Sequence, residues 1–353
     1  MIKRLENLRN LIKEKSLDGA LIYMPENRFY FSGFTGSTGY LVITPKNSFF
    51  IADFRYIEQA KKQCEGYEVL TMSKDLPLSH HLKELNITNL GIEDNHMDVF
   101  TYKKLLSDID TLEMVSIGED LVKIRAIKDE SEIENLRKAA EIADKAFEHI
   151  LPFIKPGAIE LDIAHEIESF MKKNGASGLS FQMIVASGKR SALPHGVASD
   201  KVLEDGDFLT LDFGCIYNGY CSDMTRTVVL GKATNEQKKI YNIVLEAQTK
   251  ALSHIKPGVK GKDVDFIARD IISSYGYGDK FGHGLGHGVG LKVHELPNLN
   301  PEGDIILEPN MVVTDEPGIY IPDFGGVRIE DLVVVTENGH EILSKSPKEL
   351  IEL

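Results

Sequence analysis

The stretch Leu209-Thr210-Leu211-Asp212-Phe213-Gly214-Cys215-Ile216-Tyr217-Asn218-Gly219-Tyr220-Cys221-Ser222-Asp223-Met224-Thr225-Arg226-Thr227-Val228-Val229 decides the fold. Asn-Gly between two runs of β-branched, aromatic and aliphatic residues is the strongest short-range hairpin signal. A two-residue turn at Asn218-Gly219 fixes the register. Asp212 then faces Thr225, Gly214 faces Asp223, and Asp212 and Asp223 share one face as diagonal neighbours. Such neighbours are about 7–8 Å apart at the backbone. Leu209, Leu211, Val228 and Val229 make the hairpin apolar on both sides, so the two acids are expected inside rather than on a solvated face.

A second hairpin repeats the pattern. Met311-Val312-Val313-Thr314-Asp315-Glu316 and Val327-Arg328-Ile329-Glu330-Asp331-Leu332-Val333 flank a loop holding Pro322-Asp323-Phe324-Gly325-Gly326. A centre near Asp323 sets Glu316 opposite Glu330, with Arg328 on the face of Glu330. Asp331 points the other way, where a capping or surface role suffices. Between the hairpins runs Gly282-His283-Gly284-Leu285-Gly286-His287-Gly288-Val289-Gly290, ending at His294-Glu295. The glycines do not fit a dinucleotide-binding pattern. They suggest close backbone approach with imidazoles aimed inward. His195, in Leu193-Pro194-His195-Gly196, has no local support, and its spacing leaves packing and function both open.

Electrostatics separates a cluster from a coincidence. Two carboxylates 4 Å apart repel by about 4 kcal/mol at an effective dielectric of 20. Arg328 alone does not offset four of them; two divalent cations do. Cation binding lowers the pKa of water from about 15.7 to about 7, on the order of 12 kcal/mol of anion stabilisation. Oxygen ligands with one imidazole suit manganese first, with cobalt or zinc as alternatives. The pattern is that of a two-metal hydrolytic site.

The rest of the chain is consistent with an enzyme. Its 353 residues accommodate two domains, and the net charge of −14 argues against a phosphate-backbone partner. No run reaches the length of a membrane span, and charges in Met1-Ile2-Lys3-Arg4-Leu5-Glu6 argue against a signal peptide. Three cysteines, Cys64, Cys215 and Cys221, make a disulfide framework improbable and point to reducing cytoplasm. Cys215 and Cys221 are read as packing residues. Residues 1–125 alternate helical and strand patterns as an α/β domain. It includes strands at 39–44 and 48–52 joined by Pro45-Lys46-Asn47. Asp129 caps a helix that opens a second domain, residues 126–353. In it Phe153-Ile154-Lys155-Pro156-Gly157-Ala158 recurs as His254-Ile255-Lys256-Pro257-Gly258-Val259, 101 residues later. Two α/β halves related by an approximate twofold, with a ligand cleft between them, follow from that repeat.

As an ordered set these motifs resemble the creatinase/aminopeptidase P/prolidase family, the pita-bread metallopeptidases, from about residue 127 to 353. The first 125 residues are similar to that family's N-terminal creatinase-type domain, including Phe34-Thr35-Gly36-Ser37 and Asp53-Phe54-Arg55-Tyr56. The resemblance implies an α/β (α+β) chain with a creatinase-type domain followed by a pita-bread domain. It implies five metal ligands, Asp212, Asp223, His287, Glu316 and Glu330, with Asp223 and Glu330 bridging and Glu316 also acting as acid/base. It gives His195 and His294 to substrate contact and proton transfer, Arg328 to the arginine beside the last ligand, and Phe181 to a pocket aromatic. Asp315 departs from the family, which usually has an apolar residue before Glu-Pro-Gly, and little effect on ligation is expected. The implied reaction is release of an N-terminal residue ahead of proline from small peptides by a homodimer, in the manner of aminopeptidase P. The sequence does not separate this from a strict Xaa-Pro dipeptidase. A creatinase-like amidinohydrolase lacks this ligand set, a methionine aminopeptidase lacks the first domain, and a metal-free peptide-binding relative would have lost ligands that are all present.

Overall fold

The structure, a computed structural model, describes residues 2–353 and divides into two compact units, Met1–Arg125 and Ala126–Leu353. The first unit is built on one mixed six-stranded sheet. Its strands run in the spatial order Glu68–Thr71, Ser48–Ala52, Tyr40–Ile43, Gly19–Ile22, Asn89–Ile92, Glu113–Ser116. The strands expected at 39–44 and 48–52 pair antiparallel, with Leu41 opposite Phe50. Leu21, Val42, Ile51 and Leu90 pack in this unit's core. Helices cross over between the parallel strands, as parallel pairing requires.

The second unit has two cores, and each belongs to one half of the internal repeat. Helices Glu130–Ile150 and Glu160–Lys173 cover one group of strands, whose core includes Ala146 (0% exposed), Ile167 and Leu211. Helices Asn235–Leu252 and Gly261–Ser274 cover the other, around Val244, Ala268 and Val313. The repeat extends to individual hydrogen bonds. Gly157 N donates to Leu203 O and Gly258 N to Leu307 O, both at 2.9 Å; Leu203 N and Leu307 N answer to Ala158 O and Val259 O, both at 2.8 Å. Asp129 accepts from Glu132 N and Glu132 from Asp129 N, a reciprocal cap for the first helix of this unit.

The hairpins have the register that turn geometry dictates. Asn218 and Gly219 both adopt positive φ (47° and 88°), as a type I′ turn requires. Thr225 pairs with Asp212 and Tyr217 with Tyr220. In the second ribbon Asp315 pairs with Asp331, and Gly318 with Arg328, so Glu316 and Glu330 meet across the ladder between them. The first ladder is interrupted at Gly214, where the chain comes so close to its partner strand that a Cβ would lie 1.8 Å from Ser222 O. That neighbour is backbone and cannot rotate away. Gly214→Ala is therefore expected to cost more than about 2 kcal/mol of stability in urea unfolding. A cost below half of that would show the hairpin to be slack.

Candidate metal centre

A cavity of about 510 Å³ opens between the two hairpins, and nine side chains singled out from sequence line it: Phe181, His195, Asp212, Asp223, His287, His294, Glu316, Arg328 and Glu330. Asp212 ends its strand's apolar run, and Asp223 lies just before strand Met224–Val229. Each carboxylate is carried by a rigid ladder. Glycines flanking His287 do what the sequence suggested. Cβ atoms on Gly286 and Gly288 would lie 2.1 Å from Thr314 O and Leu296 O, respectively. A register shift between His287 and Gly288 re-aims the strand at that point. His287 Nδ1 donates to Gly288 O at 3.1 Å. Nε2 then faces the acids, 3.3 Å from Glu316 Oε1 and 3.7 Å from Asp223 Oδ2. One ligand atom each from Asp223, His287 and Glu330 fall within 4.8 Å of one another.

Side chains that the motifs did not reveal set the orientation of these groups. Thr225 Oγ1 donates to Glu330 Oε2 at 2.6 Å and accepts from Arg328 Nε at 3.0 Å. Thr314 Oγ1 donates to Glu316 Oε1 and accepts from His287 N. Arg328 Nη2 donates to Asp212 Oδ2, and Nη1 donates to Tyr320 OH (2.7 Å) and Pro194 O (3.3 Å). Tyr320 OH in turn meets His283 Nε2 at 2.8 Å, while His283 Nδ1 donates to Gly284 O. Thr225 could have been found, because the predicted register puts it directly opposite Asp212. Tyr320 lies beyond Glu316 on a strand that the Pro-Gly pair obscured.

Buried like charges shift the acids apart. Burial raises Asp223 and Glu330 well above the usual carboxylate range; Asp212 and then Glu316 add to the rise of Asp223, and Asp223, Glu316 and Asp212 add to that of Glu330. Burial also raises Asp212, against the pull of Arg328. Burial opposes ionisation of Glu316 and His287 too and is the largest single influence on each, but their mutual hydrogen bond together with the charges around them outweighs it, bringing Glu316 down to about 2 and His287 up to about 9. The proton on His287 thus supplies positive charge that this group of acids demands.

Asp331 corrects the sequence reading. It does point away from Glu330, yet it is buried (0% exposed) rather than on the surface. It accepts from Arg226 Nη2 at 2.8 Å, Lys348 Nζ at 2.7 Å and Gln248 Nε2 at 3.0 Å. Asp315 lies beside it with both carboxyl oxygens unpartnered among the described residues, and burial holds its pKa well above the ordinary value. Cys215 and Cys221 are free and buried as packing residues, and burial pushes their thiols up to about 11 and 12.

This arrangement has a known counterpart. The family model described as Metallopeptidase family M24 matches residues 134–337, and that of the Creatinase/Prolidase N-terminal domain matches residues 4–127. The chain belongs to metallopeptidase family M24. A protein of Bacillus subtilis (strain 168) named "Uncharacterized peptidase YqhT" is 51% identical to this M24 chain over 352 residues, covering 99% of it and 100% of the relative. The structure of an Xaa-Pro dipeptidase from Bacillus anthracis is 49% identical with a TM-score of 0.96, over 100% of this chain and 99% of that one. An X-Pro aminopeptidase from Thermotoga maritima MSB8 is 40% identical with a TM-score of 0.90, over 96% and 98%. The fold is accordingly that of the family, a creatinase-type unit followed by a pita-bread unit.

The residues of this M24 chain fit the divalent cations on which its family depends. Asp212 Oδ1 and Glu330 Oε1 are buried and have no hydrogen-bond partner among the described residues, although buried polar atoms are almost always partnered. The donors are hard carboxylate oxygens plus one imidazole nitrogen whose second nitrogen is tied to a carbonyl. That is a set suited to manganese, cobalt or zinc.

Proposed function

We propose that this M24 chain is a dinuclear metal-dependent Xaa-Pro peptidase of the aminopeptidase P type, cleaving between an N-terminal residue and a following proline. The observation that carries this reading is the convergence of Asp212, Asp223, His287, Glu316 and Glu330 on one cavity, with two buried oxygens left for an ion. In this reading those five side chains hold two ions, manganese first and cobalt or zinc as alternatives. When bound, divalent cations supply Lewis-acid polarisation of a carbonyl and an acidified water.

The chain's own residues do the remainder. An Xaa-Pro bond is a tertiary amide with no N–H and a fixed ring, so peptidases that hold the substrate through that N–H handle it poorly. Phe181, Ile184, Val197 and Val293 give the cavity an apolar wall against which a pyrrolidine ring can lie. The acids attract the substrate's free amine. His294 is held below its ordinary pKa by burial and by His287, so near neutral pH its imidazole is uncharged. It and His195 donate hydrogen bonds to the carbonyl oxygen as charge grows there. Glu316 takes a proton from the attacking water and returns it to the prolyl nitrogen as the bond breaks.

Peptide length follows from charge. Among the described residues, the cavity is lined by no lysine and by a single arginine, Arg328, whose donors already serve Asp212, Tyr320, Pro194 and Thr225. A free prolyl carboxylate finds no uncommitted cation there, whereas an extended peptide needs none. The second reading, a dipeptidase restricted to Xaa-Pro, is favoured by the name of the Bacillus anthracis structure at 49% identity. The manganese-loaded enzyme is expected to cleave Xaa-Pro-Xaa peptides at least about tenfold faster than Xaa-Pro dipeptides, a difference of about 1.4 kcal/mol. Preference for dipeptides would support the second reading, and equal cleavage of Xaa-Ala-Xaa controls would sink both. The reading has the enzyme acting on small peptides as a homodimer in a reducing cytoplasm, in keeping with three free cysteines.

A further inference from the structure

We propose that Glu160 is a positioning residue for His195, fixing the loop that carries this imidazole at the cavity; the assignment rests on the peptidase reading above. Glu160 opens helix Glu160–Lys173, and its side chain is 0% exposed. A carboxylate is tolerated so deep only when its lone pairs are engaged. Here five donors engage it. Oε1 accepts from Ser187 N at 2.7 Å and Ser187 Oγ at 2.8 Å, and Oε2 accepts from Ser199 N at 3.1 Å, Ser199 Oγ at 2.7 Å and Arg190 Nη1.

Those donors are not scattered. Ser187 closes strand Ile184–Ser187 immediately before the His195 loop, and Ser199 stands immediately after it. One carboxylate therefore ties both ends of a loop to the start of a helix. Arg190 carries the same grip to the middle: its Nη2 donates to Val197 O at 2.7 Å. Within the loop, Leu193 N donates to Arg190 O at 2.9 Å and Gly196 N to Leu193 O at 3.0 Å. His195 sits inside this frame with its side chain exposed to the cavity, so the backbone that carries the ring sets its direction.

The other half of the repeat uses the same device. Asp265, on helix Gly261–Ser274 and 1% exposed, accepts from Leu285 N at 2.9 Å and pairs with Arg269 at 2.8 Å. Arg269 donates to His283 O at 2.8 Å and Phe281 O at 3.0 Å. In each half a buried carboxylate and an arginine fix the backbone around a histidine that lines the cavity. An anchor needed only for its helix would have no reason to engage the loop's two ends and its middle.

The test uses the full-length enzyme with Glu160→Gln, His195→Ala and the double variant, assayed manganese-loaded on an Xaa-Pro-Xaa peptide, together with histidine-labelled NMR of the zinc-loaded protein, whose ion is diamagnetic. Glu160→Gln is expected to lower kcat roughly 10- to 100-fold with KM changed less than about threefold, because a displacement near 1 Å has that effect on a positioned group. The double variant should be no slower than His195→Ala alone. The His195 ring resonance should shift or broaden while that of His283 stays in place, and Glu160→Asp should restore part of kcat. Losses that multiply in the double variant, with an unmoved His195 resonance, would overturn the proposal and leave Glu160 a scaffold residue. If Glu160→Gln does not fold, Arg190→Gln, which leaves the four serine donors in place, carries the same comparison. A fully active His195→Ala would instead overturn the part given to His195 in the peptidase reading, while the NMR shift would still report the positioning.

Discussion

Replacing Asp223 with asparagine is expected to abolish ion binding and cut peptidase activity by at least about 1,000-fold, about 4 kcal/mol in the activation barrier, while leaving the ion-free protein folded and more stable. The two halves of that expectation have one cause. Asp223 shares a space of 4.8 Å with His287 and Glu330, and Asp212 and Glu316 also act on it. Asparagine keeps the shape and removes the charge, so a divalent ion loses a carboxylate from the centre of its donor set. Without an ion, that same charge is a liability, because burial and Asp212 push the Asp223 carboxyl well above the usual range. The neutral amide resembles the protonated acid that the ion-free fold prefers. A gain on the order of 1–3 kcal/mol at pH 8 follows from relieving one such group. Elemental analysis, peptide assay and urea unfolding of one preparation check all three statements. Retained metal at the native ratio, or loss of stability in the ion-free variant, would contradict the site as described.

The second large effect is on stability when ions are removed. In the ion-free chain Asp223 and Glu330 have raised folded-state pKa values, so the folded state holds protons that the unfolded chain has released. Stability from such groups is fully present below the unfolded pKa near 4 and is lost as pH rises through the folded pKa. His287, raised to about 9, acts in the same direction: its contribution is present below about 6.5 and is lost as pH rises through about 9. Glu316, lowered to about 2, contributes above the ordinary carboxylate pKa and loses its part only as pH falls through about 2. Between pH 5 and 9 the net slope for the stripped protein is therefore downward. Cations reverse it, since they bind the ionised groups and compete with protons. At 100-fold excess over Kd each site adds about 2.7 kcal/mol, so Tm at pH 8 should rise on the order of 10 °C on loading. The gap between loaded and stripped protein should widen from pH 5 to pH 8. A gap that narrows with pH, measured by calorimetry across that range, would rule out these carboxylates as the binding groups.

Much of the candidate site was legible because two tight ribbons translate sequence position into spatial position. Once Asn218-Gly219 is a two-residue turn, strand alternation leaves one choice of partner for each residue. Asp212 then meets Thr225, as the structure has it, and the second ribbon pairs Asp315 with Asp331 as its centre near Asp323 implies. The repeated Lys-Pro-Gly stops likewise announced the two halves, because Gly157 and Gly258 end their segments with equivalent hydrogen bonds. Alternation has a limit. It says which face a side chain occupies but not what covers that face.

Sequence by itself therefore determined the strand pairing, the identity of the acids on the inner face and the need for glycine around His287. These depend on neighbours along the ladder, whose distances covalent geometry fixes. Only the tertiary structure decided the fate of groups whose partners come from far along the chain. Asp331 is buried because the segment around Ser346 to Lys348 folds over it, with Arg226 donating to Ser346 O and Pro347 O. Glu160 holds the loop of His195 because a helix start and two serines that bracket the loop meet at one carboxylate. Such meetings follow from how helices and ribbons pack, and no periodicity in the chain encodes which distant donor will arrive at a buried acid.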